Sequence, residues 1–337
     1  MKAYVLHDIN DLRYEDAPMP QCPEHWAVVQ VKAAGICSSD IPRVFTKGTY
    51  HFPTIPGHEF AGVVSAVGSE DDAHWTGKRV GVFPLIPCKH CAQCDERHYE
   101  MCSNYDYIGS RRDGGFAEYV AVPVWNLVPV PDKVSFVTAA MLEPLSVALH
   151  AVKACGIVPG CSVAVVGTGM IGFAAALWAR RHGAGRVTMI GRGEQKRLIA
   201  EQCGVGYMNG EDNIQSDVVI EAVGTPHSIA KAIETAKAGG TVMLMGNPAG
   251  DVTLQQDVYW RILRKQLTVK GTWNSSFDGA KASDWTEALK ILEAGEIDVS
   301  PFVTHCFNQD SLCDGLELMF EHKESYCKVM TVWNQQH

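Results

Sequence analysis

Four cysteines fall within one short stretch, Cys88-x2-Cys91-x2-Cys94-x7-Cys102. Two-residue gaps let successive thiolates converge on one ion, and four sulfurs make a closed tetrahedral site suited to zinc. Such a site has no open coordination position, so it stabilises a loop and performs no chemistry. His90 and His98 lie nearby, but the regular thiol spacing favours the cysteines. The other candidates are dispersed: Cys37 in Gly35-Ile36-Cys37-Ser38-Ser39-Asp40, His58 and Glu59 in Gly57-His58-Glu59, and Glu143 before Pro144. One thiolate, one imidazole and one carboxylate would leave a fourth zinc position open, as a Lewis-acid site requires. Each also has a plainer explanation: Cys37 as core, His58 as a satisfied buried histidine, Glu143 as a helix-surface residue.

A third motif is Gly167-Thr168-Gly169-Met170-Ile171-Gly172, a G-x-G-x-x-G between an apolar strand and an apolar helix. The first glycine permits a tight turn and the second lets backbone N–H groups approach a pyrophosphate. The third lets the helix pack closely on the strand, while the helix N-terminus supplies partial positive charge. A second glycine turn, Ala222-Val223-Gly224, ends a later strand where the adenosine half of a dinucleotide could lie. About 20 residues past the glycines an NAD site normally carries an acid for the ribose 2′-OH. Here Gly191 and Arg192 stand there, followed by Lys196 and Arg197. A carboxylate would repel a 2′-phosphate, whereas an arginine can grip one with paired bonds, so the pattern predicts NADP over NAD.

These groups must be positioned by two kinds of architecture. Short strands separated by Pro and Gly turns cover the first 125 residues: Trp26 to Ala33, Phe60 to Val67, Arg79 to Phe83 and Phe116 to Pro123. After Pro131 the pattern changes to a helix over Phe136 to Ala154 and a buried strand over Ser162 to Val166. An apolar helix from Met170 to His182 follows, then strands at Arg186 to Ile190, Asp217 to Glu221 and Thr241 to Met245. That alternation implies a doubly wound α/β parallel sheet with crossover helices. The division expected is 148–270 for the α/β domain, with 1–147 and 271–337 forming the β-rich one.

The bulk numbers agree with an enzyme of small molecules. A chain of 337 residues favours two domains. Its net charge of -9 argues against nucleic-acid or anionic-membrane partners. The N-terminus has no apolar core long enough for a signal peptide, and no stretch approaches the ~20 apolar residues of a membrane span. A soluble, cytoplasmic protein is therefore expected, and twelve cysteines there point to metal ligation before disulfides.

In order and spacing, Gly35–Asp40, Gly57-His58-Glu59, the four-cysteine loop and the G-x-G-x-x-G resemble the medium-chain, zinc-containing alcohol dehydrogenase superfamily. Glu143-Pro144-Leu145-Ser146-Val147 is similar to the sorbitol (polyol) dehydrogenase branch. Asp40–Phe45 and Tyr107–Tyr119 are closer to bacterial galactitol-1-phosphate 5-dehydrogenases. The resemblance implies a GroES-like catalytic domain, a Rossmann domain, and an active site in the cleft between them. It implies two zinc ions, one held by Cys88, Cys91, Cys94 and Cys102. The other, catalytic, would be held by Cys37 and His58 with Glu143, Glu59 or a water, Glu143 ranked slightly first. It also implies that Ser39 relays the hydroxyl proton while hydride passes to the nicotinamide, and that the chain is a homodimer or homotetramer. Pro42 and Arg43 stand where some relatives carry the histidine that ends this relay.

For the substrate, the resemblance implies a polyol, polyol phosphate or ketose. Arg43, Arg111 and Arg112 are the candidate phosphate binders, or else they cap loops and pair with carboxylates such as Asp113. Trp273 and Asn274 are candidates for the cleft. Two departures weigh against direct transfer of the substrate: Gly191-Arg192 replaces the usual acid, and no arginine stands near Gly271-Thr272-Trp273-Asn274. The alternative is an NADPH-dependent reductase of unphosphorylated ketones or aldehydes, or an enzyme of free polyols such as sorbitol or xylitol.

Overall fold

The computed structural model describes residues 1–210, 212–279 and 281–333. The chain forms two compact units. The first contains Met1–Glu143, Ser276–Glu296 and the segment from Val303; the second contains Pro144–Ser275 and Ile297–Phe302.

The first unit is built on a seven-stranded sheet. Its longest strand, Trp26–Ile36, alternates little and is buried along most of its length, as expected of a strand flanked on both edges. Glu59–Val67 pairs antiparallel along one edge, placing Gly35 opposite Glu59. The other edge is shared: Tyr119–Pro123 pairs with residues 26–30, and Lys328–Val332 pairs with residues 33–36. The C-terminal strand thus completes a sheet begun some 300 residues earlier, and its Met330 also stands opposite Gly35. Leu6, Val29, Val31, Phe60, Phe116, Leu316 and Val329 fill the core on this sheet.

The second unit is a six-stranded parallel sheet. From edge to edge its strands run Gly206–Asn209, Arg186–Gly191, Ser162–Val166, Ser216–Glu221, Ala236–Leu244 and Thr268–Gly271. The order reverses between Ser162–Val166 and Ser216–Glu221, the switch point at which open α/β sheets bind ligands. All five residues of Ser162–Val166 are buried, as crossover helices on both faces require. Helix Met170–Arg181 covers the sheet with Phe173, Ala174, Ala175, Ala176, Trp178 and Ala179 buried, its alanines allowing close approach. Helix Pro226–Thr235 begins with a reciprocal Thr225–Ser228 capping box and a proline in its first turn, both sound N-terminal signals.

Two boundaries differ from expectation. The helix expected over Phe136 to Ala154 is two, Phe136–Ala140 and Leu142–Ala154. Pro144 has no N–H to return to Ala140, so the helix restarts with the proline in its first turn. In the tail, Ile297–Phe302 groups with the second unit, where the Phe302 ring lies 5.6 Å from that of Phe173.

Trp178 ties the second unit together. It is fully buried, and its indole N–H donates to Leu145 O at 2.9 Å. Trp178→Ala should destabilise that unit by about 3–5 kcal/mol, from the cavity and the orphaned carbonyl. Urea unfolding should show this as a lower midpoint, and a cost below about 1 kcal/mol would mean the helix is not anchored there.

Candidate metal centres and nucleotide turn

The four-cysteine loop folds back so that its sulfurs face one another. The Sγ atoms of Cys88, Cys91, Cys94 and Cys102 all lie within 4.8 Å of one another. Cys88 and Cys94 are 3.9 Å apart, and Cys91 and Cys102 are 4.0 Å apart. Thiolates bonded to zinc at ~2.3 Å on the corners of a tetrahedron stand about 3.8 Å apart, so this loop fits the ion. Cys94 and Cys102 are buried, the other two are half-buried, and none of the twelve cysteines forms a disulfide.

The second cluster comes from sheet register. Cys37 follows the end of Trp26–Ile36, and His58 precedes the start of Glu59–Val67, whose first residue stands opposite Gly35. One donor atom from each of Cys37, His58 and Glu59 lies within 4.8 Å of the other two. Soft, borderline and hard donors together, with no fourth side chain in the group among the described residues, fit zinc with an open position. Glu143, ranked first in the sequence reading, lies outside this trio but is only 8% exposed. Its Oε1 accepts from the Tyr107 hydroxyl at 3.3 Å, and burial lifts its carboxyl to about 7 against the pull of His58. The Tyr107 ring lies 5.8 Å from that of His58.

Two residues that the sequence reading did not single out organise this cluster. Asp40 is fully buried; its Oδ2 accepts from the Cys37 N–H at 3.0 Å and its Oδ1 from Arg43 at 2.7 Å. The same Oδ1 lies 3.5 Å from His58 Nδ1, as for a carboxylate orienting a ligating imidazole. Burial alone would raise the Asp40 carboxyl, but His58 and Arg43 outweigh it and hold it low. Lys328 is the second, 2% exposed, bonded through Nζ to Glu59 Oε2 and donating to Ile36 O at 3.0 Å. A lysine opening the largely apolar strand Lys328–Val332 was the available signal, since a lysine is almost never fully buried unless paired.

Gly35 leaves the space in which this pair meets. A Cβ there would lie 2.5 Å from Glu59 Oε2 and 2.7 Å from Lys328 Cε. Ser39 is half-buried two residues after Cys37, and it caps its short helix without a side-chain bond.

In the second unit the glycine motif forms the turn its spacing requires. Gly167 has φ +118°, and a Cβ on Gly172 would sit 2.3 Å from Gly167 O. Gly169 begins the helix at Met170 and Ile171 with no capping side chain, leaving the first backbone N–H groups for an anion. Val223 is exposed and Gly224 has φ +85°. Their N–H groups both donate to Oε1 of the fully buried Glu221 at 2.8 Å, a role absent from the sequence reading.

The basic end of Arg186–Gly191 is less open than its sequence implies. A Cβ on Gly191 would fall 2.2 Å from Thr168 Cγ2, so a side chain there needs the threonine to turn aside. Arg192 is exposed and Lys196 half-buried, while Arg197 is paired to Glu194 and Glu201. The proposed anion binders of the first unit are engaged as well. Arg43 is held by Asp40, and Arg112 pairs with Asp106, not Asp113. The Arg111 guanidinium lies between the rings of Tyr50 and Tyr105, 4.5 and 4.4 Å from their centroids. Trp273 and Asn274 belong to the second unit; Trp273 is exposed and Asn274 adopts φ +55°, its Oδ1 accepting from the Ser275 N–H at 2.8 Å.

Known proteins match this arrangement throughout. Residues 23–132 match the alcohol dehydrogenase GroES-like domain, and residues 171–294 match the zinc-binding dehydrogenase domain. Galactitol 1-phosphate 5-dehydrogenase of Escherichia coli strain K12 is 32% identical over 323 residues, covering 90% of this chain and 92% of that one. The crystal structure of the Escherichia coli galactitol-1-phosphate dehydrogenase superposes with a TM-score of 0.90 at 30% identity, covering 98% of this chain and all of that one. A zinc-binding dehydrogenase of Sinorhizobium meliloti 1021 bound to NADP gives 0.87 at 29% identity, covering 98% of each chain. With its GroES-like unit, its Rossmann unit and both cysteine-containing clusters in their places, the chain belongs to the zinc-containing medium-chain alcohol dehydrogenase family and is an oxidoreductase of its polyol and alcohol dehydrogenase group.

Proposed function

We propose that the protein oxidises a secondary alcohol of a polyol or polyol phosphate to the ketose, or runs the reverse reduction, with NADP preferred over NAD. The observation that carries this reading is the convergence of Cys37, His58 and Glu59 into a trio one donor short of a tetrahedron. Zinc, when held there, would supply a Lewis acid for the substrate hydroxyl, and a bound nicotinamide would supply the hydride acceptor. Cys37 and His58 bind the ion, with Glu59 as third ligand and Glu143 as the carboxylate that can replace it. Cys88, Cys91, Cys94 and Cys102 hold a second, structural zinc.

The chain's own groups do the remaining work. Ser39 accepts a hydrogen bond from the substrate hydroxyl and, as it takes that proton, passes its own on toward the nicotinamide ribose. Asp40 holds a negative charge 3.5 Å from His58 Nδ1 and ties the Cys37 backbone to the same carboxylate. Gly167, Gly169 and Gly172, with Met170 and Ile171 at the helix start, take the pyrophosphate, while Val223 and Gly224 bound the cofactor on the Glu221-braced turn. Gly191 and Arg192, with Lys196 and Arg197 beyond them, face the adenosine ribose. Arg192 binds the 2′-phosphate; Arg197, already held by two glutamates, contributes less.

A phosphorylated substrate is supported by similarity to the galactitol 1-phosphate enzyme and by the presence of Arg43, Arg111 and Arg112. A second reading, an unphosphorylated polyol or ketone, is favoured by the engagement of all three arginines with Asp40, Asp106 and two tyrosine rings. Trp273 and Asn274 serve either substrate. We also propose the homodimer or homotetramer that family resemblance implies, and a cytoplasmic location.

Metal analysis of the purified protein should find two zinc ions per chain, and Cys37→Ser should retain one. Two retained ions in that variant would remove Cys37 from the catalytic set. A panel of free and phosphorylated polyols and ketoses, each with both cofactors, decides the substrate class; equal kcat/KM for phosphorylated and free pairs excludes the arginine role. Arg192→Ala should lower the NADP-to-NAD ratio of kcat/KM at least about tenfold, as loss of charge-assisted bonds predicts. An unchanged ratio excludes Arg192 as the determinant.

A further inference from the structure

We propose that Lys328 is a positioning residue for the catalytic zinc, acting through Glu59: its ammonium holds one carboxylate oxygen so that the other stays turned toward Cys37 and His58. The inference rests on the reading of Cys37, His58 and Glu59 as zinc ligands. Three independent features of the first unit carry it.

The first is geometry. Lys328 bonds Glu59 through Oε2, and the same carboxylate offers an oxygen within 4.8 Å of the Cys37 and His58 donors. A carboxylate has two oxygens, so pairing with the lysine and binding of an ion do not exclude each other. The second is anchorage. Lys328 also donates to Ile36 O at 3.0 Å, the carbonyl just before Cys37, so the ammonium is fixed to the segment that presents the thiolate. The third is vacated space: the absence of a side chain at Gly35 is what allows Lys328 Nζ, Cε and Glu59 Oε2 to meet there.

Burial explains why the lysine is needed. Both side chains are 2% exposed, and an isolated buried carboxylate so close to a thiolate would be strongly disfavoured. Lys328 relieves that repulsion while the ligands assemble. It does for Glu59 what Asp40 does for His58: each ligand has a partner that fixes its orientation from behind.

The test measures zinc, not turnover. Wild-type protein is titrated with a chelator while released zinc is counted; release of a single ion in total would overturn the ligand reading itself, independently of Lys328. In Lys328→Met, one zinc should leave at about 10–100-fold lower chelator concentration, the usual cost of losing a ligand's supporting bond. The four-cysteine zinc should stay as in wild type. Lys328→Gln, which keeps an N–H donor, should fall between the two. Cobalt exchanged into the labile site should show altered d–d absorption in Lys328→Met. In a Glu59→Gln background, Lys328→Met should add little further loss, because its effect runs through the carboxylate. Unchanged release in Lys328→Met, or a full additional loss in the Glu59→Gln background, overturns the proposal. So does joint loss of both ions, or failure of both lysine variants to fold, since either assigns Lys328 to the core.

Discussion

Strand Trp26–Ile36 carries three neighbours, and its register with them is the constraint on which the candidate metal centre depends. Backbone hydrogen bonds set Gly35 opposite both Glu59 and Met330, which brings Cys37, His58, Glu59 and Lys328 to one end of one sheet. A one-residue slip would turn Glu59 to the other face and carry its donor away from Cys37 and His58. Ordinary sheet pairing, buried in an apolar core, therefore does the work that a contiguous motif does in the four-cysteine loop.

Placing so much charge at a buried sheet end has a physical cost that the local partners offset. Glu59 is matched by Lys328, and Asp40 by Arg43 and the His58 ring. Glu143 accepts a bond from a tyrosine hydroxyl, and burial pushes its carboxyl up to about 7 against the more distant pull of His58 and Lys328. The two acids are thus unequal. Glu59 is braced by the Lys328 ammonium, whereas burial works against the charged form of Glu143. On the proposed reading, that difference suits Glu59 as the standing ligand and Glu143 as the reserve.

How much was legible follows from how local each device is. Four thiols within one short loop, or glycines flanked by strand and helix, are local, and both fold as their spacing requires. The alternation that predicted a parallel sheet is likewise a property of neighbouring residues, and the six strands observed follow it. Cys37, His58 and Glu143 are dispersed, and only resemblance linked them. Lys328 lies 269 residues from Glu59 and has no motif of its own, so register alone reveals it. The arginines went the other way: a guanidinium in a sequence looks available to an anion, yet Arg43 and Arg112 have carboxylates within reach and Arg111 two aromatic faces.

The turn after Arg186–Gly191 shows why one residue type can carry two meanings. Glycine at 191 reads as room for a phosphate, but the Thr168 side chain fills the place of its missing Cβ. A side chain at 191 would need Thr168 to turn aside, so packing accounts for the glycine as well as a cofactor does. What remains of the cofactor argument is charge. No carboxylate stands at 191–193, Arg192 is exposed, and Glu194 is paired to Arg197 and so directed along its own helix. On the proposed reading, the guanidinium of Arg192 is the group that would tell a 2′-phosphate from a 2′-hydroxyl, because it is exposed and no carboxylate stands beside it.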